Sequence, residues 1–149
     1  MSAALYWDTS ALLKLYAQEL DSSAYRQMLI ARKEHPVVSF LHRVELFYAL
    51  RHKEARAEIA PGAAARLFSD YSRHLSEGGF HVISWRDDLA RESHELLDQC
   101  LGSPASVSLR SLDGLHLSAL CMSGASGLVT TDAGMRRAAG KLGIRLVDP

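Results

Sequence analysis

The stretch Leu5-Tyr6-Trp7-Asp8-Thr9-Ser10-Ala11-Leu12-Leu13-Lys14-Leu15-Tyr16 decides how the chain folds. An apolar run stops at one carboxylate. A hydroxyl pair follows, and then apolar residues at helical spacing. The pattern predicts a buried strand over Ala4 to Trp7 with Asp8 at its C-terminal end, and Thr9 or Ser10 as the cap of a helix. A carboxylate in that place stands on the rim of a sheet. In open parallel α/β sheets this rim is where ligands bind.

The rest of the chain repeats the alternation. Leu12, Leu13, Leu15 and Tyr16 give the first helix an apolar face, and Gln18 to Asp21 reads as a break. Tyr25, Met28 and Leu29 continue a second helix that ends before Pro36. Val37-Val38 reads as a second strand, with Ser39 as N-cap of a long helix from Phe40 to about Ala57. The apolar positions of that helix are Leu41, Val44, Phe47, Tyr48 and Leu50. Pro61 suits the first turn of another helix, carrying Leu67, Phe68, Tyr71 and Leu75 and closed by Gly78-Gly79. Phe80 to Ser84 is a third strand. Asp87 and Asp88 favour a helix start whose inner face is Leu89, Ala90, Ser93, Leu96, Leu97 and Cys100. Gly102 to Ser108 is a loop, Leu112 to Met122 a helix, and Gly127 to Thr131 a fourth strand that also ends at a carboxylate, Asp132. A short helix through Met135, Ala138, Ala139 and Leu142, closed by Gly140 or Gly143, precedes a terminal strand over Ile144 to Val147. Strands alternating with helices imply a central, mainly parallel sheet of about four to five strands between helical layers. Right-handed crossovers then bring Asp8 and Asp132 to the same rim.

Composition narrows the classes. A chain of 149 residues with 48% hydrophobic and 23% charged residues is expected to form one domain around one core, spanning residues 1–149. Lys and Arg number 17, as do Asp and Glu, which argues against a generally basic nucleic-acid binder while leaving room for a local basic rim. Cys100 and Cys121 match no metal-ligand spacing and no disulfide framework. The sequence carries no signal-peptide pattern and no long apolar span, so no membrane association and a reducing cytoplasm are expected.

Two further carboxylates stand inside apolar stretches: Glu45 between Val44 and Leu46, and Asp113 between Leu112 and Gly114. Asp113 could cap its helix, whereas Glu is rarely buried without a partner. Four carboxylates in one pocket repel each other and raise their own pKa values. A divalent cation reverses that effect. Oxygen-only ligands suit Mg²⁺ or Mn²⁺ rather than Zn²⁺, and such ions activate water and stabilise charge on a phosphodiester during in-line displacement.

Four segments carry a family resemblance: YWDTSALLKLYAQE (6–19), VVSFLHRVELFYAL (37–50), LRSLDGLHLSAL (109–120) and GLVTTDAGMRRAAGKLGIRLV (127–147). In this order and spacing the chain resembles the PIN-domain ribonucleases, and most of all the VapC-type toxins of bacterial toxin–antitoxin pairs. The resemblance implies a PIN-like three-layer α/β/α fold and an Mg²⁺- or Mn²⁺-dependent endoribonuclease, a hydrolase acting on tRNA or rRNA. It implies that Asp8, Glu45, Asp113 and Asp132 are the catalytic quartet. Asp8 and Asp113 would be the main metal ligands, Asp132 a ligand directly or through water, and Glu45 would orient water or a second ion. Ser10 and Thr130 match the family's supporting hydroxyls. Gly114 departs from the pattern, where a small residue such as Ala is more usual, and is expected to loosen the helix start. A homodimer and a small antitoxin partner are implied as well.

Other residues have plainer readings. His116, one helical turn after Asp113, reads as a packed or hydrogen-bonded core histidine, and His42 as peripheral. Lys14, Arg43 and Arg110 stand near the motifs and could meet RNA phosphates, or form salt bridges. Arg136, Arg137 and Lys141 read as a solvated face. Phe47, Tyr48, Phe68 and Tyr71 read as core or dimer contacts rather than base-stacking platforms. Three rival functions remain. An aspartyl-phosphate enzyme is disfavoured because a dehalogenase-like phosphatase wants a second Asp where Ser10 stands, and a receiver domain wants an early acidic pair. A PIN-like RNA- or protein-binding module without turnover is disfavoured because all four acidic positions are filled. A structure-specific DNA nuclease would use the same pocket.

Overall fold

The computed structural model describes residues 4–149. Its elements alternate as the sequence implies: β1 (Leu5–Trp7), α1 (Thr9–Tyr16), α2 (Ser22–Ala31), β2 (Val37–Ser39), α3 (Leu41–Ala55), α4 (Ala63–Ser76), β3 (His81–Ile83), α5 (Asp87–Leu101), α6 (Ser111–Ser123), β4 (Gly127–Val129) and α7 (Ala133–Leu142). The four strands form a parallel sheet in the order β3-β2-β1-β4. All four therefore end on one rim, with β1 inside the sheet.

A strand buried on both faces reads as continuous hydrophobicity, and Leu5, Tyr6 and Trp7 are all buried. Their side chains alternate between faces. Tyr6 packs with Leu89 and Leu96 of α5, Leu117 of α6 and Met135 of α7. Leu5 and Trp7 pack on the opposite face with Ala11 of α1 and Tyr25 of α2. A third cluster joins Leu12, Val38, Leu46, Leu50 and Tyr71, tying α1, α3 and α4 to β2. Each such side chain contributes about 1.5–3 kcal/mol on burial, so this short strand anchors helices on both faces at once.

Several boundaries differ from the sequence reading. Asp8, not Thr9 or Ser10, caps α1: its carboxylate accepts the Thr9 N–H at 2.7 Å. The same residue therefore ends the strand and starts the helix. α3 begins at Leu41 rather than Phe40 and stops at Ala55, just before Ala57 takes a positive φ of 57°. Ser39 still accepts the Leu41 N–H, at 3.3 Å. Pro61 lies in the turn ahead of α4, which Gly62 enters at φ 82°.

The buried face of α3 is also rotated. Its buried residues are Leu41, His42, Leu46 and Leu50, whereas Val44, Phe47 and Tyr48 are 60%, 43% and 60% exposed. His42 is therefore central rather than peripheral. Leu97 of α5 is exposed as well. The terminal segment forms one bridge, Leu128 to Leu146, instead of a full strand. Two backbone hydrogen bonds hold it, Leu128 N–H to Arg145 and Val147 N–H to Leu128. It approaches so closely that a Cβ on Gly127 would stand 3.0 Å from Val147 Cγ2.

Candidate active site

Asp8 is built into the rim by three donors. Thr9 N–H bonds one carboxylate oxygen, while Ser10 Oγ at 2.9 Å and Thr130 Oγ1 at 2.7 Å bond the other. Thr130 follows β4 directly, and its hydroxyl also accepts the Asp132 N–H at 3.1 Å. Ser10 Oγ accepts the Thr131 N–H at 3.1 Å. The ends of β1 and β4 are thus sewn together through the two hydroxyls. Only 6% of Asp8 is exposed.

Asp113 and Asp132 stand at the starts of α6 and α7. Asp132 caps α7, accepting the Met135 N–H at 2.8 Å through Oδ1. Its Oδ2 accepts Arg110 Nη2 at 3.2 Å, and Asp113 Oδ2 accepts Arg110 Nε at 2.9 Å. The two carboxylates line one hollow with Ser108, Arg110, Gly134 and Arg137. Burial pushes the Asp113 carboxyl above its usual range against the pull of Arg110, and the charges of Asp132 and Asp8 push the same way.

Glu45 reaches the rim from α3. Its Oε1 accepts Thr9 Oγ1 at 2.8 Å and is also bonded by His116 Nε2. Burial is the largest single influence and opposes its ionisation, but His116, the Thr9 hydroxyl and His42 together outweigh it and hold the carboxyl below its usual range. Glu45 lines a second hollow with Thr9, Ser10, Val44, Tyr48 and Leu112. Among the described residues, no three His, Cys, Asp or Glu side chains close on a single point as a metal cage does.

The four carboxylates singled out in the sequence thus gather on one rim through Thr9, Ser10, Thr130 and Arg110. The basic candidates separate. Arg110 is at the pocket. Lys14 is bound instead to Glu19 at 3.0 Å and Asp21 at 2.7 Å, so it serves the α1–α2 turn. Arg43 is exposed, and its charge acts on the Tyr71 phenol. Arg136 and Lys141 are not a free solvated face. Arg136 bonds the Thr130 carbonyl and Asp148, and Lys141 bonds the carbonyls of Gly102, Ser103 and Ala105, pinning the loop before α6. The contacts of Thr9 and His116 with Glu45 escaped the sequence reading, because they join α1, α3 and α6 only in space.

This arrangement, a parallel sheet with carboxylates around the end of an inner strand, defines a class of α/β protein with an acidic rim. Its family follows from comparison with known proteins. The PIN domain model matches residues 5–141. Ribonuclease VapC46 of Mycobacterium tuberculosis is 35% identical over 150 residues, covering 99% of this chain and 98% of the relative. The crystal structure of Mycobacterium tuberculosis VapC20, a toxin cleaving the sarcin–ricin loop, matches with a TM-score of 0.67. That match spans 98% of this chain and all of the other at 16% identity, a likeness of fold. The chain belongs to the PIN-domain family and, within it, to the VapC ribonucleases.

Proposed function

We propose that the protein is the toxin of a toxin–antitoxin pair and an endoribonuclease that hydrolyses RNA phosphodiesters among Asp8, Glu45, Asp113 and Asp132, with Mg²⁺ or Mn²⁺ as cofactor. The observation that carries this reading is the fixing of Asp8 at a strand end by three donors, with carboxylates on either side. In this reading Asp8, Asp113 and Asp132 hold the ion. Their hard oxygen donors suit it, and the repulsion from Asp132 and Asp8 that adds to burial in raising Asp113 is what a divalent charge relieves. When bound, the ion supplies Lewis-acid activation of water and neutralises phosphate charge.

The chain's own groups do the rest. Glu45, held ionised, orients the attacking water. Ser10 and Thr130 keep Asp8 aimed at the pocket. Arg110, exposed at the mouth, meets a phosphate oxygen of the RNA. Water adds to phosphorus, the bond from phosphorus to the 3′ oxygen breaks, and that oxygen takes up a proton. The products carry 5′-phosphate and 3′-hydroxyl ends.

A tRNA or rRNA substrate is in keeping with a fold relative that cleaves the sarcin–ricin loop. The partners of this reading are a small antitoxin and a second copy of the chain, whose contact we assign to the exposed strip of Val44, Phe47 and Tyr48 with Leu112. In this reading the toxin acts in the cytoplasm; no helix among the described residues is long and apolar enough to cross a membrane.

The test is cleavage of total RNA and purified tRNA by wild type and Asp8→Asn in Mg²⁺, Mn²⁺ or EDTA, with the product ends mapped. Discrete cuts are expected only with metal and Asp8. Equal cutting by a folded Asp8→Asn protein would defeat the proposal.

A further inference from the structure

His116 is fully buried, yet its ring makes a polar contact at each nitrogen. Nε2 is bonded to Glu45 Oε1, with Asp8 Oδ1 farther off at 3.9 Å. Nδ1 lies 2.7 Å from the Tyr6 hydroxyl. An ionised carboxylate can only accept, so Nε2 carries the proton. In the neutral ring Nδ1 is then free to accept the Tyr6 O–H, so the two contacts suit the Nε2–H tautomer. Neighbouring rings confine it further: His42 stands edge-on with centroids 4.9 Å apart, and Tyr6 does so at 5.8 Å.

A core can be filled with apolar side chains at less cost than with an imidazole and a phenol that both need partners. Here the polar pair runs inward from the only partly exposed group it touches. Glu45's side chain is 28% exposed, against 1% for His116. Oε1 is taken by His116 and Thr9, while Oε2 has no hydrogen-bond partner among the described residues.

We propose that His116 is a positioning residue for Glu45: Tyr6 sets its tautomer, its Nε2–H holds Oε1, and Oε2 is left to present to substrate water. The proposal rests on the reading of Glu45 as the water-orienting group. Tyr6 supplies the inward anchor from the central strand, and Thr9 supplies the second hold from the helix that Asp8 caps. The position of Glu45 is thereby referenced to the same β1–α1 junction that positions Asp8.

The test has two arms. In the first, ¹⁵N spectra of imidazole-labelled, metal-free protein report the tautomer. His116 is expected to be protonated on Nε2, with its signals displaced in both Tyr6→Phe and Glu45→Gln. A ring protonated on Nδ1 alone, or one blind to both substitutions, would overturn the proposal.

The second arm is cleavage of total RNA by single and double variants. His116→Leu is expected to lower kcat by roughly 10–100-fold with KM little changed, as loss of a supporting hydrogen bond does. His116→Gln, which can offer an N–H to Oε1, should recover part of that rate. Glu45→Gln/His116→Leu should cut no more slowly than Glu45→Gln, because His116 acts through Glu45. Multiplying losses in the double variant would overturn the proposal. Wild-type rates from Glu45→Gln would instead sink the role of Glu45 itself. If no form cuts RNA, the nuclease reading fails and the imidazole spectra alone decide the relay.

Discussion

Asp113 at the start of α6 and Asp132 at the start of α7 share one cation, the guanidinium of Arg110, at 2.9 and 3.2 Å. The arginine side chain is 70% exposed, while Asp113 is 14% exposed. An exposed guanidinium thus bridges two carboxylates that line one hollow. It occupies the electrostatic role that a divalent ion would fill.

Removing that side chain should therefore help an ion to bind. A surface pair of this kind is worth up to about 1 kcal/mol, or roughly fivefold in affinity. Arg110→Ala is expected to bind Mn²⁺ several-fold more tightly than wild type by titration calorimetry, and Asp113→Asn to bind it more weakly. Unchanged or weaker binding by Arg110→Ala would mean that the guanidinium and the ion do not compete.

His42 gives the fold a pH dependence. It is fully buried, with Nδ1 accepting the Ser39 N–H at 2.9 Å and Nε2–H donating to the Trp7 carbonyl. Burial pushes its pKa down from 6.5 to about 3, assisted by the neighbouring His116. The unfolded chain takes up this proton below about 6.5 and the folded chain does not, so the contribution is complete above that pH. It is lost as pH falls toward 3, with a slope of up to about 1.4 kcal/mol per pH unit. Urea unfolding at several pH values should show a steeper acid loss in wild type than in His42→Gln. Parallel slopes would remove His42 as the cause.

The order of strands and helices was legible because the apolar runs are short, uniform and bounded by carboxylates, hydroxyls, Gly or Pro. The gathering of Asp8 and Asp132 followed from the shared direction of parallel strands. What stayed hidden was rotational. Val44, Phe47 and Tyr48 match a helical apolar stripe as well as Leu46 and Leu50 do, and only packing against Val38 and Tyr71 decides which set is buried. His42 was hidden for a related reason, and His116 was legible as a packed, hydrogen-bonded core histidine but its partners were not: a histidine in an apolar helix shows nothing of the Trp7 carbonyl or the Tyr6 hydroxyl that waits for it. For Lys14 the sequence left a phosphate contact and a salt bridge equally open, because its partners, Glu19 and Asp21, lie beyond the end of its own helix.

Gly114 leaves a stability gain unused. It lies inside α6, where glycine costs about 0.5–1 kcal/mol relative to alanine. A Cβ there would meet Leu109 Cδ2 at 3.6 Å and Ser93 Cβ at 3.7 Å, both ordinary contacts. Gly114→Ala is expected to raise the melting temperature by about 2–4 °C, the scale of 1 kcal/mol in a domain of this size. A lower melting temperature by calorimetry would show that α5 and α6 cannot take the methyl group.

The exposed strip on α3 allows the last expectation to be put on one residue. Val44, Phe47 and Tyr48 lie on neighbouring turns of α3, and Leu112 of α6, 48% exposed, shares the second hollow with Val44 and Tyr48. Contiguous apolar surface of this kind is covered in stable assemblies. If a second copy covers it, wild type should run at twice 16.4 kDa by light scattering and Tyr48→Glu at 16.4 kDa. Tyr48 forms none of the hydrogen bonds around Asp8 or Glu45, so the variant should keep its melting temperature within a few degrees. A wild-type monomer, or a Tyr48→Glu dimer as tight as wild type, would place the partner copy elsewhere or remove it.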